Sequence, residues 1–383
     1  MKKTKTNAAY VWGFTGSLLV MSGLFFSLPL QTFSDTENRT LQGKPELTWN
    51  NLWNKKFSEQ TESYLTDHFP FRDNWLSIKS AMEQLRLQQE NNGIYKGKDG
   101  YLFEKFDKPD FEQIKDLTDA VRAFAKAHPN TDISFLLAPN SVGVYAERLP
   151  WLAETYPQTV VNDYIAKQLA DSLNFMNGFN ILKPHAADER PIYYRTDHHW
   201  TSYGAYLAYV AYAEQMGWTP LPESEFRIET VTSDFFGSYH TRSQFSGLKP
   251  DLIQVYKPNN QASTQMYVAD SDETSGSMYD DSYLAKKDKY SYFLGGVHAL
   301  MTLTTNIDPA YADKEKLLVI KDSYAHSMLP FLTQHVSEIH VIDTRYYNGS
   351  IADYMEQNGI ADVLLLFNTS TFITDRNLLK LNF

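Results

Sequence analysis

Four short runs constrain this chain most: ISFLLA at 133–138, KLLVI at 316–320, EIHVID at 338–343 and ADVLLLF at 361–367. Three of them read as continuously apolar, which is the pattern of strands buried on both faces of a sheet. Helical patterns lie around them. Phe111, Ile114, Leu117, Val121 and Phe124 are spaced as one face of an amphipathic helix, and further helices are expected over 160–176, 201–215, 324–335 and 350–358, with a short strand at 181–182. GKDGYLF at 97–103 is a glycine turn entering a strand. Strands alternating with helices predict an α/β domain with a mainly parallel sheet covered on both sides. Residues 220–306 break the rhythm and read as an irregular β-rich insertion; their acidic stretch DSDETSGSMYDD, 270–281, fits no standard calcium loop.

The N-terminus is of another kind. Lys2, Lys3 and Lys5 precede a nearly uncharged run at 8–30, long enough for a bilayer core, with no clear small-x-small cleavage site after it. The expected organisation is cytoplasmic lysines and an uncleaved transmembrane signal-anchor at 1–31, a linker with membrane-proximal helices at 32–93, and the α/β domain at 94–383. In the membrane-proximal part, Pro70 should interrupt a helical pattern, and Asp73 should cap the helix carrying Trp75, Ile78, Met82 and Leu85. A long, cleaved signal peptide is the alternative, and it too places the domain outside the cytoplasm. That setting argues against ATP and nicotinamide cofactors. A net charge of −11 with no Lys/Arg-rich face argues against nucleic acid. With no cysteine, disulfides, thiolate chemistry and Cys-ligated zinc are excluded.

The chemistry-bearing residues fall at strand ends, where open parallel sheets build their sites. Ser323 follows the KLLVI strand at a strand-to-helix turn, placed either as a nucleophile beside backbone N–H groups or as a simple N-cap. It is not in a G-x-S-x-G elbow. In TDHHW, 196–200, residues two apart in an extended segment point the same way. Asp197 and His199 are then an orienting carboxylate and a base for Ser323, with His198 turned away and Trp200 walling the pocket. Two alternatives stay open: Asp197 capping the helix from Thr201, or adjacent His and Asp holding a divalent ion. Arg345 and Tyr346 follow one strand and Asn368 the next, so Asn368 is a candidate oxyanion donor and Arg345 a candidate partner for an acyl carbonyl or a sugar hydroxyl.

These residues resemble a family. TDHHW matches the motif that names the DHHW proteins, which are similar to alginate O-acetyltransferases of the AlgX/AlgJ type with an SGNH-hydrolase-like domain. ENRTL, GKDGYLF, PNSVGVYAERLP and YSYFLGG also look like family segments. The resemblance implies a flavodoxin-like three-layer sandwich whose motif order is circularly permuted: the D-x-H motif, here Asp197 and His199, precedes the serine, here Ser323. It implies a membrane-anchored, extracytoplasmic O-acetyltransferase acting on a surface polysaccharide through an acetyl-serine. The acetyl group would be supplied by a membrane-bound O-acyltransferase, and no cofactor or metal is called for. An acetylesterase with the same triad, or a noncatalytic polysaccharide-binding scaffold, are the competing expectations. No recognisable carbohydrate-binding module follows the domain, so the resemblance names no particular polymer.

Overall fold

The computed structural model describes residues 2–34, 39–86, 88–260, 262–307 and 312–382. The chain divides into two compact units, Met1–Gln88 with Gln244–Ser246, and Gln89–Ser243 with Gly247–Phe383.

In the first unit, α1 (Lys2–Ser27) is a 26-residue helix, about 39 Å long at a rise of ~1.5 Å per residue. Its stretch Tyr10–Ser27 is long and apolar enough to cross a membrane and contains no buried residue. Helices α2 (Lys56–Asp67) and α3 (Arg72–Leu85) lie either side of the expected break at Pro70. Because α3 starts at Arg72, Asp73 falls in its first turn and is not its cap. The apolar positions Trp75, Ile78 and Met82 remain exposed.

The second unit opens with β1 (Ile94–Lys96) and β2 (Leu102–Glu104), followed by α4 (Phe111–Ala127), β3 (Asp132–Ala138), α5 (Gln158–Leu169), β4 (Asn174–Asn177) and α6 (Ser202–Gln215). A hairpin of β5 (Phe226–Phe235) and β6 (Asp251–Pro258) comes next, then β7 (Thr264–Val268), β8 (Glu273–Ser275) and β9 (Leu300–Thr305). The last elements are β10 (Lys314–Lys321), β11 (Val336–Ile342), α7 (Ile351–Asn358), β12 (Asp362–Asn368) and α8 (Thr369–Thr374). The main sheet has eight strands in the order β8-β7-β9-β11-β10-β12-β3-β4.

From β11 to β4 the pairings are parallel; from β11 outward through β9, β7 and β8 they are antiparallel. The sheet is therefore mixed, which corrects the mainly parallel expectation. Within the β-rich stretch 220–306, three strands extend the sheet. They escape the apolar-run test because they are short and half-exposed: in β7 only Met266 and Val268 are buried.

The parallel strands are covered on both faces, as their composition requires. On β3, Ile133 to Ala138 are all buried. Phe135 packs on Phe175, Phe367 and Phe372, while the neighbouring Ser134, on the opposite face, bonds Met216 Sδ at the end of α6. Two further local expectations are corrected. Residues 181–182 are helical, within Gly178–Leu182, because Asn177 accepts the Phe179 N–H and caps a turn there; the strand lies just before, at β4. The helix expected over 324–335 is a 3-10 turn, Ser323–Ser327, and a short helix, Leu329–Leu332. Pro330 sits in the first turn of the latter, the position where a missing N–H is tolerated.

Candidate active site

β10 delivers Ser323 to the carboxyl end of the parallel strands. From Leu317 to Thr333 every residue is buried except Ser323. Asp322 makes the turn: its Oδ1 accepts the Tyr324 N–H at 2.9 Å, and its Oδ2 accepts the Asn368 N–H at 2.8 Å and Asn368 Nδ2 at 2.6 Å. Asp322 is thus the N-cap, and the simple capping role considered for Ser323 is excluded. The Ser323 N–H, first in the 3-10 turn, has no acceptor among the described residues.

The DHHW segment is a tight reversal of bends, not the extended strand assumed from its spacing. Tyr193 bridges Trp200, and the Tyr194 N–H reaches the His199 carbonyl at 3.3 Å. Asp251 anchors its start, accepting the Arg195 and Thr196 N–H groups at 3.0 and 2.9 Å. Thr201 caps α6 by accepting the Gly204 N–H, so Asp197 is not needed there. Asp197 instead folds back on its own loop and accepts the His199 backbone N–H at 3.0 Å. From the other side the Ser238 N–H donates to Asp197 Oδ2 at 2.7 Å. The approach is close enough that a Cβ on Gly237 would lie 2.2 Å from the Asp197 side chain.

Three residues then form one chain of hydrogen bonds. His199 Nδ1 meets Asp197 Oδ1 at 2.6 Å and His199 Nε2 meets Ser323 Oγ at 2.7 Å. With Nδ1–H donating to the carboxylate, Nε2 offers its lone pair to the serine hydroxyl. Burial opposes charge on Asp197, but the neighbouring His198 and His199 outweigh it and hold its carboxyl well below the usual range. Burial and the charge of His198 push His199 down to about 4, against the pull of Asp197. His199 is therefore a neutral base at neutral pH. His198 does not reach Ser323; its Nδ1 pairs with Ser238 Oγ at 2.7 Å, although its ring packs against His199 at 3.7 Å.

Beside the serine lies a buried charge network. Arg345 makes a double contact with Asp343, Nε to Oδ1 at 2.8 Å and Nη2 to Oδ2 at 2.6 Å. Lys321, fully buried, donates to Asp343 Oδ2 at 3.0 Å and to His326 Nε2 at 2.8 Å. Asp343 thereby links Arg345 to Lys321, two residues before the nucleophile. Burial, reinforced by the Lys321 charge, pushes His326 well below the ordinary histidine range, so it accepts from Lys321 as a neutral ring.

Two residues expected to face substrate, Trp200 and Asn368, are placed otherwise. Trp200 is fully buried; its Nε1–H donates to the Tyr324 carbonyl at 2.9 Å and to Ser327 Oγ at 3.0 Å, which ties the DHHW loop to the serine turn and leaves it no substrate-facing surface. Asn368 Nδ2 is engaged with Asp322 Oδ2 and with Thr371 Oγ1 at 2.7 Å, so it supports the turn and has no amide hydrogen to spare for an oxyanion. Tyr346 is 54% exposed and stands at the surface beside Arg345. Asp322, Asp343, Lys321, Gly237, Ser238 and Tyr290 complete the site and were not singled out from the sequence. The buried acids at the ends of β10 and β11 did leave a signal: each is a carboxylate closing an apolar run.

Asp197, His198 and His199 are also the one group among the described residues whose ligand atoms, within 4.8 Å of one another, have the chemistry to hold a metal ion. The geometry gives those atoms other work. Both His199 nitrogens are taken by Asp197 and Ser323, and both Asp197 oxygens accept hydrogen bonds.

A sheet with a Ser–His–Asp chain at the carboxyl ends of its parallel strands defines an α/β protein of the serine-hydrolase-like class, recognised by geometry and not by residue order. The family model described as DHHW protein matches residues 158–342, a span of just under half the chain that holds all three residues. A curated relative, the probable alginate O-acetylase AlgJ of Pseudomonas aeruginosa, is 24% identical over 206 residues, 51% of this chain and 49% of that protein. The chain thus spans about half the length of the curated relative it matches. A solved DHHW family protein from Eubacterium siraeum superposes with a TM-score of 0.66 at 24% identity, over 76% of this chain and 96% of the other. Bacillus cereus PatB1, in a structure with a sulfonyl adduct, gives 0.64 at 19%, over 76% and 98%. These likenesses show the fold.

Proposed function

We propose that the chain is a serine-dependent O-acetyltransferase that moves acetyl groups onto a polysaccharide outside the cytoplasm. The observation that carries the proposal is the continuous Asp197–His199–Ser323 hydrogen-bond chain, which ends on the one partly exposed residue of an otherwise buried strand end and turn. Ser323 Oγ attacks the carbonyl carbon of an acetyl donor while its proton passes to His199 Nε2. The Ser323 N–H and the Arg345 guanidinium stabilise the tetrahedral oxyanion. Collapse breaks the bond to the donor's oxygen, which leaves with the proton from His199, and acetyl-Ser323 remains. A sugar hydroxyl then gives its proton to His199, attacks the acetyl carbon and restores the serine. Asp197 keeps Nδ1 protonated and steadies the transient imidazolium.

The name of the relative AlgJ, a probable alginate O-acetylase, supports acetyl transfer as the chemistry, and α1 supports a membrane anchor. An extracytoplasmic site has no acetyl-CoA of its own, so a membrane-bound O-acyltransferase is proposed as the supplier. The test is to incubate the full chain with a chromogenic acetyl ester and weigh the intact protein. The expected result is one acetyl group, lost in Ser323→Ala and His199→Ala. A folded protein that never acquires the acetyl group would overturn the proposal and leave a binding or scaffold role. An acetyl-enzyme discharged by water alone would make the protein an esterase.

A further inference from the structure

Arg345 is also the inner end of a cavity of about 680 Å³, a size within the ~300–1,000 Å³ typical of ligand sites. The other walls are the segment that follows β2 and helix α8. Thr371 in the α8 wall accepts from Asn368 Nδ2, which also donates to Asp322 Oδ2 one residue before Ser323, so the cavity wall is tied by hydrogen bonds to the serine turn.

Its charges decide what it suits. Four carboxylates and three cations line it, so the wall is acidic on balance, and two of the cations already face a carboxylate. Arg345 is held by Asp343, and Lys105 pairs with Asp107 at 3.0 Å. Only Lys108 has no ion pair among the described residues. On the acidic side, Glu104 pairs with Arg242 at 2.7 Å and Asp110 caps α4. The rest of the wall carries the hydroxyl oxygens of Ser370, Thr371 and Thr374 with apolar surface from Pro109; the Ser370 and Thr374 hydroxyls donate inward, to Asn140 Oδ1 and the Ser370 carbonyl at 2.8 Å, which leaves their oxygens as acceptors for sugar hydroxyls. An acceptor carrying a carboxylate or phosphate on each sugar would need unpaired Arg or Lys to meet it. Hydroxyl partners with intervening apolar surface suit a sugar chain without charge.

We infer that this cavity holds the acceptor and that the acceptor is an uncharged glycan segment, not a polyuronate or a phosphorylated polymer. The inference rests on the acetyl-serine mechanism proposed above. The full chain in detergent is first loaded to acetyl-Ser323 and then given either a pool of neutral oligosaccharides or an oligouronate of equal length. Loss of acetyl-enzyme and gain of acetylated sugar are followed by mass. The neutral pool should discharge the enzyme at least about tenfold faster, and Asp107→Lys, which releases Lys105 and adds a cation, should narrow that ratio. Equal or faster discharge by the oligouronate would overturn the inference, as would discharge by neither sugar above the rate in water. Failure to form acetyl-Ser323 would appear in the loading step and would overturn the mechanism itself.

Discussion

The ring of Tyr290 lies flat on the ring of His199, with centroids 3.6 Å apart and planes 11° apart. The Tyr290 hydroxyl also donates to the Ser323 carbonyl at 3.2 Å and shares a hydrogen bond with Ser327 at 3.2 Å. One side chain thus sets the plane of the base and touches the backbone of the nucleophile, although the residues stand far apart in sequence.

Tyr290→Leu should therefore lower the rate of Ser323 acetylation about tenfold, because a misdirected base loses the alignment on which proton transfer depends. Tyr290→Phe keeps the ring and should retain most of the rate. Burst kinetics with a chromogenic acetyl ester, with thermal melts as a folding control, separate the two. Equal losses in both variants would show that the hydroxyl, and not the stack, is what matters.

Asp197→Asn should cost on the order of 10³–10⁴ in acetylation rate, since an amide no longer enforces the Nδ1–H tautomer. Gly237→Ala should reach a similar defect by a different route: its Cβ has no room beside Asp197 and must displace the carboxylate. A wild-type rate in Gly237→Ala would mean that the clamp on Asp197 yields without harm.

The pH dependence follows from the signs of the shifts. His199, held down to about 4, is a neutral base over most of the acid range, so acetylation should stay level from pH 7 to about pH 5 and fall by half near pH 4. Stability behaves differently. His199 and His326 both resist protonation in the fold, so the stability they contribute is complete above the unfolded histidine value of about 6.5 and drains away as pH falls below it. Asp197, also held down, keeps its contribution above the unfolded carboxylate range of about 3.9 and loses it only at lower pH. Melting temperature should thus start to drop near pH 6.5 while activity still holds. An activity limb near pH 6.5 would show that His199 is not shifted.

Exposure to a strong chelator should leave acetylation unchanged, because the atoms that would bind a metal at 197–199 are used in the hydrogen-bond chain. Loss of acetylation restored by zinc would replace the serine mechanism with a metal-assisted one.

The legible parts of this protein are those written in local pattern. The apolar runs at 133–138, 316–320 and 361–367 are strands because unbroken Leu, Ile and Val can only be buried on both faces, and the sheet buries them so. Ser323 was legible for a related reason, since a strand end fixes a direction; Asp197 and His199 were paired on an extended spacing the loop does not have, and they meet because Asp197 folds back onto the His199 N–H and Nδ1. The antiparallel strands β7, β8 and β9 were not legible, because short strands with one wet face carry few apolar residues. Gly237 and Tyr290 were not legible either. Each acts through a contact made only when distant segments meet, and neither residue type announces that role by itself. Trp200 misled because a tryptophan beside a catalytic motif suggests a pocket wall, whereas here it packs inward.

Asp343 is the remaining test of how the site is held. It is wholly buried between Lys321 and Arg345, and removing one member of a buried pair leaves the other uncompensated, at a cost of about 3–5 kcal/mol. Asp343→Asn should therefore destabilise the fold by roughly that amount and also slow acetylation, because Arg345 loses the double contact that aims it. Lys321→Met combined with Asp343→Asn removes the stranded ammonium and should recover most of the stability in denaturant titrations. Acetylation should not recover, since Arg345 is still loosely held. If the rate returned along with the stability, Asp343 would serve only the fold, and the oxyanion would depend on the Ser323 N–H without Arg345.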